Sequence, residues 1–349
     1  MRIALLTIWH EKNYGAELQA YATIKILQKM GHDVKMIDIR LADMQKISVK
    51  GCIAHSIMYF SPCNRKFNGF WEKNIPCTRR YKSIEELKAD PPEADVYMVG
   101  SDQVWNPDIT KDFSNLFFLN FGPEHVKKVS FASSFGVDVW THDNLNSKIV
   151  PLLKRFSAIS CREQSGVEIL KNSFQINSTC VVDPTIILGD YSTLTGPIKP
   201  RKTLVFYPLS KDFELENFSK SLAKRLDLQA INNKNSTTLF NRIEWDRISI
   251  EDWIRNIAEA EFVITRSFHG VVFSLLYKRQ FAALSSRNGR GARLEDLLAR
   301  LGLSNRIYSN IIDIETLEPW KDKIDYTIIS KKIDELRKES LNYLESILL

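Results

Sequence analysis

Four short segments collect side chains that could do chemistry. In Thr265-Arg266-Ser267-Phe268-His269-Gly270 a cation, a hydroxyl and an imidazole sit where an apolar β-branched run gives way to an apolar helical one. Backbone N–H groups at such a helix start attract anions, and an imidazole there can pass a proton near neutral pH. His269 is therefore a candidate proton-transfer group, beside Arg266 and Ser267 at a joint that attracts an anion. In Gly100-Ser101-Asp102-Gln103-Val104-Trp105-Asn106 an apolar run ends in a concentration of donors and acceptors. Asp102 can orient or deprotonate a hydroxyl there; a capping role explains Ser101 and Asp102 about as well, but not Gln103 and Trp105 beside them, a pairing that suits the grip of a sugar. In Trp9-His10-Glu11-Lys12-Asn13-Tyr14-Gly15, His10 and Asn13 are candidate ligands and Gly15 lets a backbone come close. Turn chemistry leading into a helix explains the same triplet Asn13-Tyr14-Gly15 equally well. Arg162, in Ser160-Cys161-Arg162-Glu163, offers a planar fork for carboxylate or phosphate; a local surface pair with Glu163 is the plainer alternative. Asp183-Pro184-Thr185 reads as a structural turn.

These segments need strands that end at them. Continuous apolar runs over residues 2–9, 33–39, 95–100, 128–133, 158–161 and 179–182 read as parallel strands buried on both faces. A helix over 17–30 separates the first two and stops at Gly31. Gly189, Gly196, Pro197 and Pro200 then mark a linker. Beyond it come strands over 203–209, 228–232, 262–265 and 280–284, helices over 215–226, 250–260 and 270–277, and a helical stretch over 325–349. The alternation predicts an α/β chain of two doubly wound Rossmann-like domains facing a cleft. The first covers 1–195, the second 196–315, and 316–349 packs back on the body as a C-terminal helical segment.

With 349 residues, 44% apolar and 26% charged, the chain is neither disordered nor fibrous. No run approaches the ~18 apolar residues of a membrane-spanning helix. The first residues lack a small-residue cleavage site, and the five cysteines contain no C-x-x-C pair, so neither a disulfide framework nor a zinc knuckle is expected. Reduced thiols in a cytoplasmic protein fit this usage, and the N-x-S/T matches at Asn177 and Asn235 are read as chance. The P-loop, H-E-x-x-H, G-x-S-x-G and D-x-D signatures are missing from the sequence, and Gly289-Arg290-Gly291 falls short of a dinucleotide fingerprint. The net charge of +6 resides wholly in residues 41–82, where eight basic residues face two acidic ones. Ile47, Ile53, Phe60, Phe67, Phe70 and Trp71 lie among them, a mixture suited to an anionic membrane surface. A solvated excursion of the first domain is the alternative.

Taken in order, Asn13-Tyr14-Gly15-Ala16-Glu17-Leu18-Gln19-Ala20-Tyr21, the Gly100–Asn106 segment, Ser130-Phe131-Ala132-Ser133-Ser134-Phe135-Gly136, Arg162-Glu163, Val182-Asp183-Pro184 and Ser267-Phe268-His269-Gly270 resemble the polysaccharide pyruvyl transferase family. The ordered set spans most of the chain. The resemblance implies a fold similar to two-domain, GT-B-like glycosyltransferases and transfer of the pyruvyl group of phosphoenolpyruvate to two sugar hydroxyls as a cyclic ketal, in capsular, exopolysaccharide or cell-surface glycan synthesis. It implies no nucleotide, no metal and no other cofactor, and no nucleic acid partner. It further implies arginines on the donor, here Arg162, Arg266 and Arg293 with Ser267, and His269 as general acid. One departure stands out: some branches carry Arg-x-His, whereas here Ser267 precedes His269 by two and Arg266 by three. Asp102 is then the hydroxyl base, and His10, Asn13, Tyr14, Gly15, Ser101, Gln103 and Trp105 serve the acceptor, with a polyprenyl diphosphate carrier and the inner membrane face as further expected partners. A metal-independent glycosyltransferase and a non-catalytic sugar- or anion-binding protein are the rival readings.

Overall fold

Ile3-Ala4-Leu5-Leu6 and Val96-Tyr97-Met98-Val99 have no polar face to offer water, so each must be covered on both sides, as the central strands of a parallel sheet are. In the computed structural model, which describes residues 1–40, 59–234, 236–239, 243–285 and 291–349, they occupy that place. The strands are β1 (Arg2–Leu6), β2 (Asp33–Ile39), β3 (Cys77–Tyr81), β4 (Val96–Val99) and β5 (Lys127–Ser130), ordered β3-β2-β1-β4-β5 and all parallel. Two short parallel strands, β6 (Ser160–Cys161) and β7 (Thr179–Cys180), continue the pattern, with single bridges Val129↔Ala158 and Ser133↔Cys161 beside β5.

A second parallel sheet holds β8 (Thr203–Tyr207), β9 (Gln229–Asn232), β12 (Phe262–Thr265), β13 (Gln280–Leu284) and β14 (Ile307–Tyr308) in the order β14-β13-β12-β8-β9, while β10 (Thr237–Leu239) and β11 (Ile243–Asp246) form an antiparallel pair. Both sheets are doubly wound α/β arrangements of Rossmann type. The chain divides into two compact units. Of the described residues, 1–40, 71–188 and 333–349 make the first, and those within 59–70 and 189–332 the second.

Several boundaries differ from the expected ones for local reasons. β1 ends at Leu6 because the chain then turns through His10 and Lys12, both at positive φ. β3 escapes a search for apolar runs because this edge strand reads Cys-Thr-Arg-Arg-Tyr and buries only its last residue. Residues 59–70 join the second unit, not the first. Phe67 and Phe70 are buried, and Lys66 Nζ donates to Asp246 Oδ1 (2.8 Å) and to the Arg247 carbonyl (2.6 Å). The final helix, Tyr326–Leu348, is divided: from residue 333 it belongs to the first unit, where Ser340 Oγ accepts the Val182 N–H (3.0 Å) and Arg337 Nε donates to the Ile186 carbonyl (2.9 Å). The remainder of the basic segment, 41–58, lies outside the described residues, as do Asn235 and Gly289-Arg290.

Candidate functional site

Ligands of open parallel sheets bind outside the carboxyl ends of the strands, where the strand order reverses. In the first sheet that point lies between β1 and β4, and in the second between β8 and β12. The segments singled out by residue type follow β1, β4, β6 and β12.

After β4 the chain enters Ser101 and Asp102, the latter in the left-handed region at φ 78°. A non-glycine residue stays there only when its surroundings hold it. Here Asp102 Oδ1 accepts the Gln103 N–H (2.8 Å) and an N–H of Arg162 (NH2, 3.1 Å). The other terminal nitrogen of Arg162 donates to Asp183 Oδ2 (2.7 Å) and Ser101 Oγ (3.1 Å), and the Ser101 hydroxyl donates to Asp183 Oδ2 (2.9 Å). Glu163 Oε2 lies 3.8 Å from Arg162 Nε, while Glu163 Oε1 accepts the Phe135 N–H at 3.1 Å. Burial opposes the charge of Arg162, but Asp102, Asp183 and Glu163 outweigh it and hold the guanidinium ionised. Arg162 therefore does not present its fork to a donor, as its residue type led one to expect. Its side chain is wholly covered and committed to carboxylates.

Burial also corrects the acceptor set. Trp105 is no sugar platform: its ring stacks on Phe118 (centroids 5.5 Å apart), its Nε1 donates to the Phe117 carbonyl (3.0 Å), and it is fully buried in the aromatic core of this unit. Tyr14, Gly15 and Ser101 are buried as well. Asn13 caps helix Tyr14–Lys29, its side chain accepting the N–H groups of Gly15 (3.0 Å) and Ala16 (3.4 Å). His10, Asp102 and Gln103 keep partial exposure.

His10 lies against Trp71, ring centroids 3.4 Å apart, and both are tied to the fully buried Glu17. Its carboxyl accepts the Trp71 Nε1–H (2.6 Å), the Glu11 N–H (3.1 Å) and the His10 N–H (3.3 Å). Burial pushes Glu17 up to about 8 despite these donors, and burial, then Arg40, Arg80 and Lys12, pushes His10 down to about 3. The two groups oppose each other in pH. Glu17, raised in the folded state, contributes stability that is complete in acid and lost as pH rises toward about 8. His10, lowered, contributes stability that is lost as pH falls below ~6.5 toward the folded value. Glu17→Gln keeps an acceptor for Trp71 and removes the first effect, so its Tm is expected to lack the parent's decline between about pH 6.5 and about pH 8. Equal alkaline decline of the two Tm curves refutes this assignment.

In the second unit, Ser267 caps helix Phe268–Leu276, its Oγ accepting the Gly270 N–H (3.3 Å), and the Ser267 N–H reaches Thr265 Oγ1 (3.0 Å). Gly270 is required because a Cβ there would lie 2.6 Å from Thr265 Oγ1. Arg266 Nε donates to Asp212 Oδ2 (3.0 Å) and its NH1 to the Ser285 carbonyl (3.0 Å), which joins the loops after β8 and β12 at the switch point. Arg293 Cζ stands 5.8 Å from the centre of the Phe268 ring, which meets the His269 ring edge-on. His269 itself is buried at the first turn of the helix. The structure thus gathers Arg266, Ser267, His269 and Arg293 in one unit, and Ser101, Asp102 and Arg162 in the other. Residue typing alone missed Glu17, Trp71, Asp183 and Asp212. Asp183, before a proline, reads as a turn residue only, and Asp212, a helix cap just after β8, carries no signal in the sequence beyond its type.

Two such parallel-sheet domains are the Rossmann-like pair of GT-B glycosyltransferases and sugar-nucleotide epimerases. Over 98% of this chain and 95% of the other, the fold is similar to the glycotransferase of kitacinnamycin (10% identity, TM-score 0.51). It is similar to S. aureus MnaA solved with UDP over 100% and 97% (9%, 0.53), and to the UDP-N-acetylglucosamine 2-epimerase of Rickettsia bellii over 99% and 98% (8%, 0.50). At these identities the likeness is one of fold. The sequence profile of the polysaccharide pyruvyl transferases matches residues 13–288, and the chain belongs to that family. No curated protein matches the chain.

Proposed function

We propose that the protein moves the pyruvyl group of phosphoenolpyruvate onto two hydroxyls of a sugar, closing a cyclic ketal in the synthesis of a capsular, extracellular or other cell-surface polysaccharide. The observation that carries this reading is the joint after β12, where His269, the Ser267-capped helix start and two arginines, Arg266 and Arg293, gather at a switch point. A donor bearing roughly three negative charges suits that combination. Protonation of C3 of the enol by His269 makes C2 electrophilic. One sugar hydroxyl adds to C2, phosphate leaves, and the second hydroxyl closes the ring, the two hydroxyl protons ending on Asp102 and on the departing phosphate. In this reading Asp102, Gln103 and His10 meet the acceptor. Acceptor-dependent phosphate release from phosphoenolpyruvate, across free and polyprenyl-diphosphate-linked glycosides, tests it. Thermal stabilisation by a nucleoside diphosphate, with none by phosphoenolpyruvate, overturns it in favour of a nucleotide-sugar glycosyltransferase.

We place this activity at the cytoplasmic membrane face, where a lipid-linked acceptor would sit. No helix of the described residues is long and apolar enough to cross a membrane. Phe67, Phe70 and Trp71 face inward, so they cannot insert; among the described residues of the segment the exposed cations include Arg65, Lys73, Arg80 and Lys82, with Tyr59 and Phe60 exposed at 63% and 72%. At up to ~1 kcal/mol per cation near an anionic surface, attachment is weak and reversible. Sedimentation with vesicles containing phosphatidylglycerol is expected to fall with salt and with Arg65, Lys73 and Lys82 changed together to Ser. Equal binding to neutral vesicles refutes the placement.

A further inference from the structure

We infer that the second unit carries a further ligand site, outside the amino ends of β9, β12 and β13, for a small phosphate monoester with a flat apolar body. A pocket of about 320 Å³ opens there, a size that suits a small molecule. Phe262 and Trp320 give it an aromatic wall and Lys278, Arg279 and Lys323 a charged one, with Glu261 the single carboxylate among its described lining residues.

The charges argue for an anionic occupant. Arg279 is half-buried and burial opposes its charge, yet among the described residues its guanidinium donates to carbonyls only, Nε to Tyr277 (2.8 Å) and NH1 to Ala260 (3.4 Å). Lys278 and Lys323 are exposed and form no ion pair among the described residues. Lys278 also stands at φ 56°, the left-handed position after helix Phe268–Leu276 that glycine usually fills, so a long cationic side chain is kept there against the backbone's preference. Three cations and one carboxylate leave two positive charges in the lining, which match a phosphate monoester above its second ionisation.

The fold itself holds the walls. Buried Arg306 donates from NH1 to the Pro319 carbonyl (2.8 Å) and from NH2 to Asp322 Oδ2 (3.2 Å), one on each side of Trp320 in the chain. The Gln280 side chain accepts the Ile324 N–H (2.7 Å) and donates to the Ile324 carbonyl (3.3 Å), which fixes the segment carrying Lys323. Phe262 meets the Trp320 ring edge-on, centroids 6.4 Å apart. Walls held in this way lose little conformational freedom when a ligand enters. Phe262 opens β12 and Thr265 closes it, so the pocket and the joint carrying Arg266 and His269 are about 10 Å apart along the strand. The two sites are separate.

Calorimetric titration of the full chain with 1-naphthyl phosphate is the test. One equivalent is expected to bind, with inorganic phosphate, which lacks the apolar body, weaker by about tenfold or more. The double variant Lys278→Ser, Lys323→Ser changes two exposed positions, so it is expected to keep the parent Tm and to weaken 1-naphthyl phosphate by about tenfold or more. Should the pair not fold, Lys323→Ser alone is expected to weaken binding by about threefold or more. No binding by the parent, or binding that the lysine substitutions leave unchanged, would overturn the inference. Inorganic phosphate bound as tightly as the naphthyl ester would overturn it too, because the aromatic wall would then contribute nothing.

Discussion

His269→Ala is expected to fold as the parent does and to lose turnover by at least ~10²-fold, the scale of an absent general acid. The ring lies in the first turn of helix Phe268–Leu276, whose start is held by the Ser267 cap and by Gly270 against Thr265, and none of those bonds uses the imidazole. The helix therefore survives the change. The loss should fall on kcat more than on the KM for phosphoenolpyruvate, because Arg266 and Arg293 remain. A well-folded His269→Ala enzyme with near-normal kcat would falsify the assignment and return the histidine to a packing role.

The second large effect is on stability. Arg162→Ala takes the guanidinium away from the carboxylates of Asp102, Glu163 and Asp183, two of them fully covered. Removing one partner of such a buried cluster costs about 3–5 kcal/mol, enough to take much of the stability of an ordinary domain. Arg162→Lys keeps the charge and loses the fork, so it should fold, hold the donor KM near the parent value and lower kcat. Denaturant midpoints and steady-state kinetics on the two variants check both halves. Parent-like stability in Arg162→Ala, or a donor KM raised in Arg162→Lys with kcat intact, would make the arginine a ligand of the donor instead.

Much of this architecture is written in local pattern. Residues 33–39, 262–265 and 280–284 are strands within the bounds their apolar runs mark, because strands covered on both faces carry continuous hydrophobicity whatever surrounds them. The order of the family segments, and the placing of His269 at a strand-to-helix joint, are equally local. Asn13-Tyr14-Gly15 leads into a helix as its turn chemistry suggests, with Asn13 as the cap, for the same reason.

What a side chain meets across the sheet is not local. Trp105 and Trp71 each stand between an apolar and a polar neighbour in sequence, yet the first is sealed under Phe118 and Phe135, and the second comes from a segment far along the chain to meet Glu17 and His10. Arg162 beside Glu163 reads as a surface pair or a donor fork. Only the convergence of β4, β6 and β7 turns it toward Asp102 and Asp183 and removes it from solvent. The assignment of residues 59–70 to the second unit and 333–349 to the first was decided in the same way, by Lys66 on Asp246 and Ser340 on Val182. The period of a sequence determines which face of an element is apolar; which element covers that face, and which charge a buried charge finds, is set by packing between residues that the chain order keeps apart.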